Sequence, residues 1–208
     1  GADIILVGRE ARSLGEAREA LEKTGRSVQA HPFDLSRVSE IPDFFKKIVH
    51  EGGAPDILVN CAGTICRSPA ENLALEDWRL VLELNLTSVF ALSQAFAREK
   101  IAARKPGKII NIASLMCESV RRQTSAYAAS KGGIRQLTKA LAVDWAMYGI
   151  TVNAVGPGYI KTDLTRALWE DRDMDAWVRE HTPLGRWGLP EDLASTAVFL
   201  ASRAAAFI

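Results

Sequence analysis

Short apolar runs alternate with helical patterns of ten or more residues along almost the whole chain, and this alternation constrains its fold most. The runs that predict buried strands lie at 1–9, 27–31, 56–60, 108–112 and 151–155. The patterns that predict helices lie at 11–23, 38–49, 75–102 and 125–148. Such alternation forms βαβ units, in which a parallel sheet carries helices on both faces. Because no repeat or linker interrupts it, we predict one doubly wound α/β domain over residues 1–208.

Composition and charge exclude several classes of protein. The chain is 48% hydrophobic and 25% charged, which is typical of a globular domain, and its formal net charge of +1 gives no general attraction to nucleic acid or an anionic membrane. Neither a signal peptide nor an apolar run long enough to cross a bilayer is evident. The three cysteines, Cys61, Cys66 and Cys117, lack metal-ligand spacing, so no metal site is predicted. Sparse, odd cysteines fit a reducing compartment, and we expect a cytoplasmic protein.

The residues that follow the predicted strands are small or polar. In sheets of this kind, ligands bind outside the carboxyl ends of the strands. Small residues there let a flat ligand approach the backbone, and Asp34 or Asn60 can form hydrogen bonds with its edges. We therefore predict a ligand site at this edge, built from Gly8-Arg9, Phe33-Asp34-Leu35, Asn60 to Gly63, Ala113-Ser114 and Gly156 to Gly158.

Tyr127 and Lys131 are four residues apart in a predicted helix, so their side chains leave the same face. A nearby ammonium favours the phenolate, and we expect it to lower the pKa of the Tyr127 phenol toward the working range of a general acid/base. Ser114, after the apolar run 109–112, can hold a substrate oxygen beside the phenol. The three residues predict proton chemistry on a hydroxyl or carbonyl. Alone, the tyrosine and lysine spacing is equally typical of a half-exposed ring beside a solvated lysine.

Five motifs together resemble the short-chain dehydrogenase/reductase family: N-C-A-G at 60–63, Asn85 in a long helix, Ser114 thirteen residues before Tyr127, Y-A-A-S-K at 127–131 and P-G-Y-I-K-T at 157–162. The resemblance covers nearly the whole chain. It implies a Rossmann-type fold, a bound NAD(H) or NADP(H), and interconversion of an alcohol and a ketone. Tyr127 would be the acid/base and Ser114 the hydroxyl that orients the carbonyl. Lys131 would bind the ribose and lower the pKa of Tyr127, and Asn85 would complete the set through a water relay to Lys131.

The resemblance also implies which residues hold the cofactor. Besides Tyr127 and Lys131, they are Arg9, Asp34, Leu35, Asn60, Ala62, Gly63, Pro157, Gly158, Ile160 and Thr162. The residue after the first strand distinguishes NAD(H) from NADP(H). A carboxylate there binds the ribose 2'-hydroxyl of NAD(H), whereas Arg9 can pair with the 2'-phosphate of NADP(H). Arg9 therefore favours NADP(H). NAD(H) remains possible, since a guanidinium can also stack on adenine.

Two departures from the family pattern accompany these matches. The family's first strand with its glycine-rich turn, and its last strand, have no counterpart in the sequence. The first strand lies in the middle of the family's sheet, so we expect two strands of this chain to have an unpaired edge. Cys61 stands where the family more often has a second asparagine.

Residues 162–181 predict two short helices joined by the charged turn Asp171-Arg172-Asp173, which together form a plausible lid over the site. The pattern A-L-x-E-D-x-x-x-x-A-W, followed by T-P-x-x-R-W-G, resembles the gluconate 5-dehydrogenase branch of sugar-acid dehydrogenases. A sugar acid needs a cation for its carboxylate, and Arg67 is the first choice because a guanidinium binds a carboxylate through two parallel bonds. Glu118 and Gln123 are candidates for binding sugar hydroxyls.

Two other functions stay open. A 3-ketoacyl thioester reductase acting on an acyl carrier protein would use the same catalytic residues and would need a basic patch, for which Arg121-Arg122 is too short to decide. A non-catalytic nucleotide-binding interaction module is the second. Motifs of hydrolases are absent from the sequence. The family resemblance implies a homotetramer or homodimer.

Overall fold

The computed structural model describes residues 1–208 and contains five β-strands and eight α-helices. The strands are β1 (Ile4–Gly8), β2 (Val28–Pro32), β3 (Ile57–Asn60), β4 (Gly107–Ile112) and β5 (Ile150–Val155). The helices are α1 (Ala11–Glu22), α2 (Ile41–Gly52), α3 (Leu75–Leu82), α4 (Ser88–Ala102), α5 (Ser125–Trp145), α6 (Arg166–Trp169), α7 (Arg172–His181) and α8 (Pro190–Ala201). Strands and helices alternate as predicted, and the α/β prediction is confirmed.

All strand pairs are parallel, and they form two hydrogen-bonded groups. β1 pairs with β2, and β4 lies between β3 and β5. Only β4 has hydrogen-bonded neighbours on both sides, and β1, β2, β3 and β5 each have a neighbour on one side only. Because the strands within each group are parallel, their carboxyl ends lie at a common edge.

Strand β4 is buried on both faces. Ile109 belongs to the main core cluster with Phe96 of α4 and Val152 of β5, whereas Ile110 packs against Leu200 of α8. Successive side chains of a strand point to opposite faces, so the two isoleucines are covered by helices on opposite sides. This packing gives a rigid platform to the loop that begins after Ile112.

The long helix predicted over 75–102 is present, and a π turn at Glu83–Thr87 joins α3 to α4. Such turns are frequent at functional sites, and this one contains Asn85. By length and composition, Leu75–Ala102 could span a membrane, which corrects the expectation that no segment could. Half of its most apolar part is nevertheless buried inside the protein, and Val81 and Phe96 are core residues. That burial fits the core helix of a globular domain.

The predicted lid contains two helices, α6 and α7, followed by α8, which begins at Pro190. The charged turn expected at 171–173 is the start of α7. The Asp171 carboxylate accepts a 2.9 Å hydrogen bond from the Met174 N–H and so caps the helix. A 3₁₀ turn at Asp163–Thr165 precedes α6.

Candidate active site

The carboxyl ends of β3, β4 and β5 meet at one edge of the sheet. Asn60 and Asn111 are register partners near the ends of β3 and β4. The Leu115 N–H donates a 2.9 Å hydrogen bond to the Pro157 carbonyl, which joins the loops that follow β4 and β5. The candidate site is therefore formed by loops that the parallel strands bring together.

Ser114, Tyr127 and Lys131 lie at this edge. Ser114 follows β4, and Tyr127 and Lys131 are one turn apart near the start of α5. They are only 9%, 9% and 5% exposed, respectively. The Lys131 ammonium lies 5.7 Å from the centroid of the Tyr127 ring. The Ser114 hydroxyl accepts a 3.2 Å hydrogen bond from the Met116 N–H. A hydroxyl, a phenol and an ammonium thus form one buried cluster.

The pKa of the Tyr127 phenol is raised, which is opposite to the expectation from the sequence. Burial is the main cause, and the nearby Ser114 hydroxyl and the positive charge of Arg67 oppose it in part. The Lys131 ammonium is directed elsewhere, because it donates a 2.6 Å hydrogen bond to the Ile112 carbonyl. Removal from water disfavours the phenolate more than these neighbours favour it. The phenol therefore keeps its proton at neutral pH.

Lys131 has unused hydrogen-bonding capacity in a buried position. Burial lowers the pKa of Lys131 to about 8, an effect that Cys61 partly opposes. An ammonium has three N–H donors, and the Ile112 carbonyl accepts one of them. The remaining donors suit a ligand rich in hydroxyl groups, such as the ribose of a dinucleotide. The donor set therefore fits the cofactor that the sequence predicts.

Asn85 fastens the loop after β3. Its amide oxygen accepts from the Thr64 N–H at 2.8 Å, and its amide nitrogen donates to the Thr64 carbonyl at 2.8 Å and to the Ser130 hydroxyl at 3.1 Å. A Cβ on Gly63 would lie 3.3 Å from the amide oxygen, so the loop passes very close to this side chain. The direct partners of Asn85 are thus Thr64 and Ser130, and the water relay to Lys131 stays a prediction.

Arg9 and Asp34, at the ends of β1 and β2, lie near each other. The pKa of the Asp34 carboxyl is lowered mainly by hydrogen bonds from the Ser36 N–H at 2.9 Å and the Ser36 hydroxyl at 2.8 Å. The positive charge of Arg9 contributes as well. Leu35 belongs to the main core cluster, so only its backbone is available to a ligand. Arg9 itself is exposed and can pair with an anion.

The side chain of Asn60 forms hydrogen bonds with buried side chains of the protein interior. Its amide nitrogen donates to the Ser93 hydroxyl at 3.2 Å and to the Asn111 side-chain oxygen at 2.8 Å. Its amide oxygen is buried without a partner. Ala62 and Gly63 are exposed, and they are the part of the N-C-A-G motif that a ligand can reach.

The segment 157–162 connects the edge of the site to the lid. Gly158 and Thr162 are exposed, and Pro157 and Ile160 are partly buried. Ile160 forms a parallel bridge with Gly188, which closes the base of the lid. The four predicted cofactor residues of this segment therefore border both the site and the lid.

Arg67 is the predicted substrate residue that lies within electrostatic reach of the Tyr127 phenol, because its charge opposes the rise in the pKa of that phenol. Gln123 has a left-handed backbone with φ 62°, which is uncommon for a residue other than glycine. Its carbonyl accepts a 3.2 Å hydrogen bond from the Ser68 N–H. Gln123 thus fastens the loop that carries Arg67.

Glu118 is engaged elsewhere, since its carboxylate lies 2.7 Å from the Arg135 guanidinium of α5.

Three residues of the site were missed by reasoning from the sequence. Thr64 and Ser130 bind Asn85, and the small residues around Ser130 were the one signal of a close approach there. Arg121, which contacts the lid, was considered only as part of a basic pair, and nothing in the sequence indicates that contact.

With this geometry established, the chain can be compared with known proteins. A family model described as enoyl-(acyl carrier protein) reductase matches residues 1–208. Gluconate 5-dehydrogenase of Gluconobacter oxydans is 38% identical over 208 residues, which cover 100% of this chain and 81% of that protein. The 5-keto-D-gluconate 5-reductase of Escherichia coli K12 is 40% identical, with 100% of this chain and 82% of that protein covered.

The fold is equally close to solved structures. The crystal structure of a gluconate 5-dehydrogenase from Burkholderia cenocepacia, in complex with NADP and tartrate, has a TM-score of 0.95 and 38% identity. The match covers 100% of this chain and 81% of that one. The chain therefore belongs to the short-chain dehydrogenase/reductase family, and the resemblance drawn from its motifs is confirmed. Its similarity is to sugar-acid dehydrogenases and reductases within that family.

Proposed function

We propose that the protein is an NADP(H)-dependent oxidoreductase that interconverts a secondary alcohol and a ketone on a sugar acid, such as gluconate and 5-ketogluconate. The observation that carries this proposal is the buried cluster of Ser114, Tyr127 and Lys131 at the carboxyl edge of the sheet. It supplies a hydroxyl to hold a substrate oxygen, a phenol that keeps its proton, and an ammonium with donors to spare.

Each of these side chains has a separate task. Bound NADP(H) supplies the hydride chemistry. In reduction, Ser114 holds the substrate oxygen and Tyr127 donates its phenolic proton to that oxygen. Lys131 holds the ribose hydroxyls with the donors that the Ile112 carbonyl leaves free. In oxidation, Tyr127 must first lose its proton, and its raised pKa makes that step favour alkaline pH.

Arg9 supports NADP(H) over NAD(H). Its exposed guanidinium follows β1 and can form paired hydrogen bonds with a 2'-phosphate. Related structures from Burkholderia cenocepacia and Beutenbergia cavernae contain NADP. NAD(H) would lack the phosphate that this cation is placed to bind.

Arg67 is the proposed carboxylate ligand. Its charge acts on Tyr127, so a substrate whose ketone meets the phenol can bring its carboxylate to the guanidinium. The Burkholderia cenocepacia structure contains tartrate, which is a hydroxylated carboxylate. A polyhydroxylated acid therefore suits the charge and hydrogen-bonding groups of this site.

A substrate panel tests the proposal. Ketoses, sugar acids and 3-ketoacyl thioesters are assayed with each cofactor in both directions. Tyr127→Phe should lower kcat by roughly a hundredfold to ten-thousandfold, because it removes the proton donor, while cofactor affinity stays within about twofold. Tyr148→Phe, on a tyrosine 43% exposed beyond the end of α5, is the matched control and should keep full activity. Full activity in Tyr127→Phe would rule out the proposed acid/base.

The same panel separates the second candidate, a 3-ketoacyl thioester reductase. The acyl carrier protein in the description of the matching family model favours it. The basic pair Arg121-Arg122 does not, because Arg121 is half-buried against aromatic rings and only Arg122 is exposed to a carrier. Turnover of thioesters without turnover of sugar acids would select this alternative. Tight nucleotide binding without any turnover would instead point to an interaction module.

A homotetramer or homodimer is the proposed assembly. Val143 near the end of α5 and Met147 just beyond it are 79% and 80% exposed, and Phe90 of α4 is 41% exposed. Exposed apolar side chains on neighbouring helices are suited to a subunit interface. Light scattering should give a multiple of the monomer mass that falls in Val143→Glu. An unchanged mass in that variant would place the interface elsewhere.

A further inference from the structure

Helix α7 of the lid is connected through Trp187 and Gly188 to the segment that follows β5. The Trp187 indole N–H donates a 2.8 Å hydrogen bond to the Asp175 carboxylate of α7. Gly188 forms its parallel bridge with Ile160. These contacts attach α7 to the segment that follows β5, and none of them involves the loop between Ser114 and α5.

Arg121, in that loop, supplies the hydrogen bond and the cation–π contacts that join the loop to α7. Its guanidinium carbon lies 6.0 Å from the centroid of the Trp177 ring and 5.7 Å from that of the Tyr159 ring. Its Nη2 donates to the Met174 sulfur at 3.2 Å. The two rings meet edge to face, with centroids 6.0 Å apart. One guanidinium therefore contacts both the lid helix and the loop after β5.

Arg121 forms these contacts without a carboxylate partner. Three arginines in and just after the lid, Arg166, Arg179 and Arg186, each pair with a nearby aspartate. Arg121 is half-buried and has no such pair. A planar guanidinium stacks well on aromatic rings, and its attraction to them strengthens as water is removed. The rings account for the position of this side chain.

We propose that Arg121 is a positioning residue that holds α7 closed over the bound substrate. The loop that carries it begins at Ser114 and leads into α5, where Tyr127 lies in the first turn. A contact between Arg121 and α7 therefore fixes the lid relative to both side chains. A closed lid keeps water out and retains the substrate. The nature of the substrate rests on the function proposed above, whereas the state of the lid can be measured without any substrate.

Hydrogen exchange of the α7 amides tests the contact directly. Arg121→Met keeps the bulk of the side chain and removes its charge, so α7 should exchange about fivefold faster, as expected for losing a cation held against two rings. Arg122→Met removes the same charge from the exposed neighbouring residue and should leave α7 unchanged. Equal exchange in wild type and Arg121→Met would overturn the proposal.

A double-mutant cycle with Trp177→Leu identifies the partner. If Arg121 acts through the Trp177 ring, Arg121→Met should accelerate exchange of α7 much less in the Trp177→Leu background than in the wild type. Additive effects of the two substitutions would place the action of Arg121 elsewhere.

Kinetics distinguish a lid role from general stabilisation. Arg121→Met should raise the KM of the sugar acid about fivefold or more while kcat is kept, because every reacting group remains in place. Arg121→Lys keeps the charge and loses the planar face, so its KM should lie between those of the wild type and Arg121→Met. If Arg121→Met instead lowered both kcat and the melting temperature, that result would contradict a positioning role. Faster exchange without turnover of any sugar acid would refute the proposed function and leave the lid contact standing.

Discussion

The side-chain amide of Asn85 binds the main chain of Thr64 twice, accepting from its N–H and donating to its carbonyl, both at 2.8 Å. Asn85 is fully buried in the π turn that joins α3 to α4. The turn thus carries a polar side chain from the core to the loop after β3. That loop continues to Arg67, so the contact ties the core to the proposed carboxylate ligand.

Asn85→Ala should destabilise the protein by about 2–4 kcal/mol, because it removes three hydrogen bonds and leaves both Thr64 main-chain groups without their partner. Urea unfolding measures the loss. Asn85→Asp is the informative comparison, since it can still accept from the Thr64 N–H and loses the donor to the carbonyl. A change below about 1 kcal/mol in Asn85→Ala would show that the loop finds other partners.

Lys131→Met should make the fold at least as stable as wild type near pH 7. The folded-state pKa of Lys131, about 8, lies below the usual 10.5, so its buried charge costs about 3 kcal/mol below pH 8. The folded state releases this proton first as pH rises, and the cost is relieved between about 8 and 10.5. Loss of the hydrogen bond to Ile112 offsets about 1 kcal/mol of the gain.

Urea unfolding of wild type and Lys131→Met at two pH values checks both the sign and the pH window of this effect. The advantage of the variant should shrink as pH rises above 8. An advantage that grows with pH, or a variant several kcal/mol less stable near pH 7, would mean that the ammonium is stabilised by its surroundings.

Tyr127 should ionise above pH 10 in the ligand-free enzyme, because burial raises the pKa of its phenol above the ordinary 10.0. The difference in near-ultraviolet absorbance between wild type and Tyr127→Phe, followed during a pH titration, isolates this group. Its phenol then stays protonated throughout the neutral range, which favours ketone reduction there. Ionisation near neutral pH would mean that the charge of Lys131 outweighs burial.

Arg9→Asp should shift cofactor preference from NADP(H) toward NAD(H) by about tenfold or more, because a charge-assisted pair with the 2'-phosphate is replaced by repulsion. The new carboxylate would also lie near Asp34, so Arg9→Leu separates loss of the cation from that added repulsion. Arg12→Asp, on an exposed residue of α1, is the control. The ratio of kcat/KM for the two cofactors measures the shift, and an unchanged ratio in Arg9→Asp would refute this role of Arg9.

Local patterns were enough to predict most of the secondary structure. Apolar runs and helical periodicity located all five strands and the main helices. The π turn was not predicted, because residues 83–87 contain neither glycine nor proline to interrupt the helical pattern of 75–102. The charged turn at 171–173 was read as a break, whereas Asp171 caps a helix.

The sequence by itself determined that Tyr127 and Lys131 share one face of a helix and that Ser114 follows a buried strand, because helical spacing and strand ends are local properties of the chain. Only the tertiary structure decided what surrounds them. Burial raises the pKa of Tyr127, Ile112 takes one donor of Lys131, and Arg135 takes the carboxylate of Glu118. Arg121 likewise meets Trp177 more than fifty residues away along the chain. Desolvation and contacts between distant residues depend on packing, which no local pattern records.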